Sequence, residues 1–190
     1  MKIIIINGYA GVGKSTFVEM CKKDYLVTEL STIDPIKDIA SKIGWNGQKE
    51  PKDRKFLSDL KDLLSRYNDY PFKATINSIY AEVSFMELLK VDAEEIFFVH
   101  CREPEEIERF KNELGARSLI IRRHGPETVT QINHADNNVF NMVYDYTIFN
   151  EGSLEDLEKS AKEFMEKLKS EDWKSHVERS YYELCNWFGA

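Results

Sequence analysis

Residues Gly8-Tyr9-Ala10-Gly11-Val12-Gly13-Lys14-Ser15 satisfy the spacing G-x-x-x-x-G-K-[ST], and they stand directly after an unbroken apolar run, Ile3 to Ile6. A β-branched run without polar alternation, Lys2 to Ile6, fits a strand buried on both faces at the centre of a parallel sheet. A helix is expected from Lys14 or Ser15 to about Asp24, because Phe17, Val18 and Cys21 recur at helical spacing. Strand, glycine loop and helix in that order let backbone N–H groups converge on phosphate oxygens, with the partial positive charge of a helix N-terminus behind them. In such a cradle Lys14 reaches the β- and γ-phosphates and Ser15 ligates Mg²⁺. The binding loop comprises Gly8, Ala10, Gly11, Val12, Gly13, Lys14, Ser15 and Thr16.

The surroundings of this loop are those of a small acidic globular chain. At 190 residues and roughly 150 residues per domain, one domain over 1–190 is expected. A hydrophobic fraction of 42% suffices to fill its interior, which excludes wholesale disorder. The net charge is −7, so no global cationic field exists to hold polymeric nucleic acid, and an anionic ligand must be bound locally. The apolar opening is too short to span a membrane, and a glycine loop follows it instead of a small-residue cleavage site; a soluble, cytoplasmic protein is the expectation. Cys21, Cys101 and Cys185 are far apart and form no paired metal spacing with His100, His124, His134 or His176; they read as reduced packing thiols.

Hydrophobic periodicity continues the pattern. Tyr25 to Leu30 reads as a second strand, and Asp34-Pro35 as the start of a helix bearing Ile36, Ile39, Ala40 and Ile43, stopped by Gly44. Trp45 to Pro51 is a polar connection. Two helical stripes follow, Phe56 to Leu64 and Ile76 to Met86, divided at Tyr70-Pro71. Ile96 to Val99 is a strand, and the next helix carries Ile107, Phe110 and Leu114 to a stop at Gly115. Ser118 to Ile121 and Tyr144 to Phe149 are strands, and Ser153 with Asp156 caps a helix bearing Leu157, Ala161, Phe164 and Leu168. Strands separated by helices require right-handed crossovers. The expected fold is therefore α/β: five strands in a mainly parallel, doubly wound sheet with helices on both faces. A last stripe within 171–190, Trp173, Val177, Tyr181, Leu184 and Phe188, is expected as a C-terminal helix. Its aromatics suit docking on the domain or on a second copy of the chain, as in a homodimer.

A phosphate loop alone leaves kinase, switch GTPase, ATPase motor and transporter subunit open. A switch GTPase should offer N-K-x-D for guanine, and no such tetrad occurs; a motor should end an apolar strand in Asp or Asp-Glu, whereas Ile96 to Val99 runs into His100-Cys101-Arg102. A small kinase fits the size best. Such an enzyme must hold its acceptor in line with the γ-phosphate, and the helical insert over about 32–92 is the natural acceptor arm. Asp34, Lys37, Arg54 and Arg66 are its candidate acceptor-binding residues. Arg102 directly follows a central strand at the lip of the usual ligand crevice. Arg122 and Arg123 lead into a polar segment, about 123–141, that reads as a lid able to exclude water and bring cation to the transferring group.

Beyond the loop, Asp34-Pro35-Ile36-Lys37-Asp38, Arg54 with the leucine-rich helix after it, Cys101-Arg102-Glu103, Arg123-His124-Gly125, Asn133-His134-Ala135-Asp136 and Asn150-Glu151-Gly152-Ser153-Leu154-Glu155-Asp156-Leu157 complete a pattern. Over roughly residues 1 to 168 it resembles the bacteriophage-type deoxynucleoside monophosphate kinases, with phosphomevalonate kinases as more distant relatives. The resemblance implies a three-layer P-loop kinase fold and transfer of the γ-phosphoryl group of ATP, with Mg²⁺, to a (deoxy)nucleoside monophosphate. It also implies that Lys37 lies in the acceptor arm, Arg102 beside the acceptor or transferring phosphate, Arg123 at the lid and Asn150 near the donor adenine. Lys14, Arg102 and Arg123 then form the catalytic clamp. The family commonly carries an acidic residue where this chain has His100, and Asp after the P-loop lysine where it has Ser15; Asp34 is the next candidate for the carboxylate that supports Mg²⁺. The alternatives are a kinase of a non-nucleotide phosphate such as phosphomevalonate, and an ATP-binding module without transfer activity.

Overall fold

The structure is a computed structural model that describes residues 1–48, 50–91, 93–123, 139 and 142–175. Its centre is β1 (Lys2–Asn7), every residue of which is buried. β1 pairs in parallel with β3 (Ile96–His100) on one side and with β4 (Arg117–Arg122) on the other, and β4 pairs in parallel with β5 (Tyr146–Phe149). With β2 (Val27–Ser31) at the far edge, the strand order is β2-β3-β1-β4-β5. The first strand lies in the middle because it is apolar on both faces and so needs a covering layer on each.

Those layers are helical. Ile4 and Ile6 share a core with Phe17 and Val18 of α1 (Lys14–Cys21), Phe98 of β3, Leu119 of β4 and Phe164 of α6 (Leu154–Ser170). The opposite face, with Ile3 and Ile5, is covered by α5 (Pro104–Leu114), which packs on β1 and β4. Phe164 is the aromatic hub of the first layer: its ring centroid lies 5.7 Å from Phe17, 6.3 Å from Phe98 and 5.2 Å from Tyr146. α6 starts at a capping box in which Ser153 Oγ accepts the Asp156 N–H at 3.2 Å and Asp156 Oδ2 accepts the Ser153 N–H at 2.8 Å. It ends on a buried cation: the Lys2 ammonium donates to the carbonyls of Leu168 and Glu171, where the helix dipole is negative. Central strand order and glycine loop together make this the three-layer P-loop kinase fold.

The chain packs as two compact units, Met1–Glu29 with Ala93–Ala190, and Leu30–Asp92. The second contains α2 (Asp34–Lys42), α3 (Pro51–Asn68) and α4 (Tyr70–Leu88). α4 buries Phe72, Ile76, Ile79 and Tyr80, whereas α3 buries none of its residues fully. Asp69, at φ 61°, turns the chain from one into the other.

Several boundaries differ from the sequence expectation, each for a local reason. α1 stops at Cys21, and Lys22 beyond it turns its ammonium to Glu19 at 2.5 Å and Glu29 at 2.9 Å. β5 begins at Tyr146, because Tyr144 bonds Asn7 and the Asp145 carboxylate takes both the N–H and the hydroxyl of Ser118 at 2.8 Å. Residues 171–175, the start of the expected C-terminal helix, are not helical. There the Trp173 indole donates to the Gly115 carbonyl at 2.9 Å, and the Arg117 guanidinium stacks 4.6 Å above its ring, so this aromatic docks on its own domain. The rest of that segment, and nearly all of the expected lid over 123–141, lie outside the described residues. Cys21 and Cys101 are buried, and burial pushes the Cys21 thiol up to about 12, in keeping with a packing role.

Phe164→Ala removes the ring that joins α6 to α1, β3 and β5, and is expected to cost about 3–5 kcal/mol. Denaturant unfolding measures it; a loss below about 1 kcal/mol would contradict the packing described.

Candidate functional site

The loop Gly8–Gly13 leaves the buried end of β1 and turns sharply into α1. Gly13 occupies the N-cap position in the left-handed region, at φ 97° and ψ 17°. A Cβ there would stand 2.6 Å from Asn150 Nδ2, and one on Gly8 would stand 2.5 Å from the Ile121 carbonyl oxygen. Glycine is required at both positions by contact as well as by backbone angle. By contrast, nothing lies within 4 Å of where a Cβ on Gly11 would be, so the loop is open on that side.

The start of α1 has the character of an anion site. No side chain caps it and no acidic residue stands in its first turn. First-turn N–H groups have no intrahelical acceptor, and the helix dipole concentrates positive charge there. Ser15 and Thr16 are exposed on that turn. The Lys14 ammonium folds back over the loop and donates to the carbonyls of Gly8 at 2.5 Å and Tyr9 at 2.7 Å. Thus the cation that the motif assigns to phosphate rests on the rim of the loop itself.

Asn150 holds the loop from behind. Its side chain donates to the Val12 carbonyl at 2.9 Å, and its backbone N–H donates to the Arg122 carbonyl at 2.7 Å. With only 8% of the residue exposed, its carboxamide braces the P-loop against the turn that follows β5. Arg102 follows β3 half-buried, with its carbonyl accepting from Asn7 Nδ2 at 3.4 Å; Arg123 follows β4 and is exposed.

At the end of β3, where the resemblance would put a carboxylate, His100 Nε2 lies 2.7 Å from Glu29 Oε1. Glu29 comes from β2 and also accepts from Lys22. Burial acts to raise the Glu29 carboxyl, but the hydrogen bonds from Lys22 and His100 outweigh it and hold the group below the usual carboxylate range. Sequence reading did not single out Glu29, which looks like any polar residue on a half-exposed strand; nothing local signals that it faces His100.

The acceptor-arm candidates lie in the Leu30–Asp92 unit. Asp34 and Lys37 are brought together as an i,i+3 ion pair of 2.7 Å on α2, with side chains 49% and 41% exposed. Arg54 stands near the start of α3 and Arg66 in its last turn, both exposed. As to metal, no group of three or more His, Cys, Asp or Glu side chains gathers in a metal-holding arrangement among the described residues. The exposed Ser15 hydroxyl suits a Mg²⁺ whose other ligands are phosphate oxygens and water. Asp34 is engaged by Lys37.

The chain matches no protein-family model and no curated protein. Solved structures similar to it include shikimate kinase from Aquifex aeolicus, 10% identical with a TM-score of 0.47 over 88% of this chain and 98% of that one. Dephospho-CoA kinase from Campylobacter jejuni is 17% identical with a TM-score of 0.42, over 87% and 96%. The tunicamycin resistance protein of Deinococcus radiodurans is 13% identical with a TM-score of 0.49, over 88% and 95%. The fold assignment rests on the sheet order and loop geometry above.

Because the Glu29 carboxyl is held low in the folded state, its contribution to stability is present above its unfolded value of about 4.3 and is lost as pH falls through the lower folded value. Glu29→Gln should therefore be less stable than the parent at pH 7, and the gap should close in acid below about pH 4. Thermal melts across pH test this; a gap independent of pH would contradict it.

Proposed function

We propose that this protein is an ATP-dependent phosphotransferase that moves the γ-phosphoryl group to a (deoxy)nucleoside monophosphate, giving the diphosphate. The observation that carries the reading is the loop itself: an uncapped helix start opened by left-handed Gly13, with the Lys14 ammonium poised on the loop carbonyls. That arrangement supplies first-turn N–H donors and a cation beside them, which suits a polyphosphate tail better than any uncharged ligand.

In the proposed reaction an acceptor phosphate oxygen, already anionic near neutral pH, attacks the γ-phosphorus. The new O–P bond forms as the bond to the β-phosphate oxygen breaks, and ADP leaves with that electron pair. No strong base is needed, so the protein's task is alignment and charge neutralisation. Lys14 exchanges its two carbonyl acceptors for β- and γ-phosphate oxygens. Arg102 and Arg123 meet the charge on the transferring group. Asn150 keeps the loop in shape from behind, its carboxamide already bound to Val12. Ser15 is the protein ligand for Mg²⁺, which neutralises the triphosphate when bound. Lys37, Arg54 and Arg66 supply the arm's cations for the acceptor phosphate.

The nucleotide acceptor is supported by the resemblance of the Asp34–Asp38, Cys101–Glu103 and Asn150–Leu157 motifs. No helix among the described residues is long and apolar enough to cross a membrane. A cytoplasmic protein and a homodimer remain parts of this reading. His100, tied to Glu29 where a carboxylate is usual, favours one other reading, an ATP-binding module without transfer activity.

ADP formation from ATP and Mg²⁺, assayed over a panel of ribo- and deoxyribonucleoside monophosphates with phosphomevalonate beside them, separates these readings. Turnover with a nucleotide is the expected result. Turnover with phosphomevalonate alone would overturn the acceptor class, and ATP binding with no turnover on the panel would favour the module. Lys14→Ala should lower the rate about 10²-fold or more, while an unchanged rate would remove the P-loop from the mechanism. Lys37→Ala and Arg54→Ala should raise KM for the acceptor more than KM for ATP; the reverse order would take these residues out of the acceptor site.

A further inference from the structure

Asn7 is the last residue of β1, immediately before the P-loop, and it is completely buried. Both polar atoms of its side chain are engaged. Oδ1 accepts the Gly8 N–H at 2.7 Å; Nδ2 donates to the Tyr144 hydroxyl at 2.8 Å and, over a longer 3.4 Å, to the Arg102 carbonyl. The Tyr144 hydroxyl places its own proton on the Val139 carbonyl at 2.7 Å, so towards Asn7 it can only accept. Burial pushes this hydroxyl up to about 12, and it keeps its proton through the neutral range. The direction of the chain of hydrogen bonds is therefore fixed, and it fixes which way the carboxamide faces.

This side chain stands where the backbone ladder gives out. Ile6 faces His100 in the parallel register, and the Cys101 N–H still reaches the Ile6 carbonyl at 3.3 Å. One residue on, the link to Arg102 is made by the Asn7 carboxamide. The same group holds the first peptide of the P-loop. A single buried amide thus ties the start of the phosphate loop to the main chain of Arg102.

We propose that Asn7 is a positioning residue for phosphoryl transfer: it sets the main chain of Arg102 against the P-loop, and Tyr144 holds the carboxamide in the orientation this requires. The inference rests on the phosphotransferase reading above. Aspartate is nearly isosteric with asparagine, but it keeps the acceptor to Gly8 and replaces both donors by an oxygen that faces the Arg102 carbonyl. Tyr144→Phe removes one oxygen atom and leaves the ring packing in place.

The test compares the parent with Asn7→Asp, Tyr144→Phe, Arg102→Ala and the doubles Asn7→Asp/Arg102→Ala and Tyr144→Phe/Arg102→Ala. The readouts are kcat for ADP formation with a deoxynucleoside monophosphate and the Kd for ATP measured by titration. Asn7→Asp and Tyr144→Phe are expected to lower kcat about 10- to 100-fold while the ATP Kd stays within about twofold. Because they act through Arg102, each should cost little more once Arg102 is gone. A merely structural role would make the losses multiply undiminished in the doubles, or would weaken ATP binding as much as it slows turnover; either result overturns the inference. Should Asn7→Asp fail to fold, the Tyr144 arm decides alone. A parent that binds no ATP or forms no ADP would refute the phosphotransferase reading and this inference with it. A parent that turns over, with multiplicative variants, refutes only the role of Asn7.

Discussion

The contact between Asn150 and the P-loop is the constraint on which the site depends. Its amide donates to the Val12 carbonyl and lies 2.6 Å from where a Cβ of residue 13 would be. The loop is thereby held at its Val12 carbonyl, and Gly13, at φ 97°, is the residue that tolerates the close approach of Asn150. A carbonyl left unpaired behind the loop would cost on the order of 1–3 kcal/mol and would favour relaxation of the turn. The brace comes from the turn beyond β5, which the bond from the Asn150 N–H to the Arg122 carbonyl ties to the end of β4.

Electrostatics follow the same economy. A chain with net charge −7 repels a triphosphate at long range, and attraction must be local and short. In the proposed reaction the means are a helix start without acidic residues, the Lys14 ammonium, Arg102 and Arg123. Elsewhere cations are spent on structure: Lys2 on the C-terminus of α6, Lys22 on Glu19 and Glu29, Arg117 on Tyr146 and Trp173.

What could be read from the chain alone follows from which interactions are local. The run Ile3–Ile6 and the glycine spacing after it determine a buried central strand, a loop and the start of a helix without reference to the rest of the molecule, and all three are found. Ser153 with Asp156 likewise announces α6 through a capping box that needs only four residues. The misses are tertiary. Tyr144 and Asp145 look like strand residues by pattern, but they are taken by Asn7 and Ser118, distant in sequence, and β5 starts later. The bond of Asn150 to Val12 has no local signal either, since it depends on β4 and β5 bringing its turn behind the loop. Glu29 and Asn7 carry no local signal at all, because a polar residue in a strand reveals its partner only once the neighbouring strand is in place.

The central claim is that the turn between β1 and α1 binds a polyphosphate. Its most direct measurement is an ¹⁵N-resolved NMR titration of the protein with ATP and magnesium, following the backbone amides of residues 8–16. The account predicts that the Gly11, Gly13, Lys14 and Ser15 resonances move together along one saturable binding curve, and move far more than amides of α3. Amides of the loop that stay in place while the nucleotide is raised to millimolar concentration would contradict it.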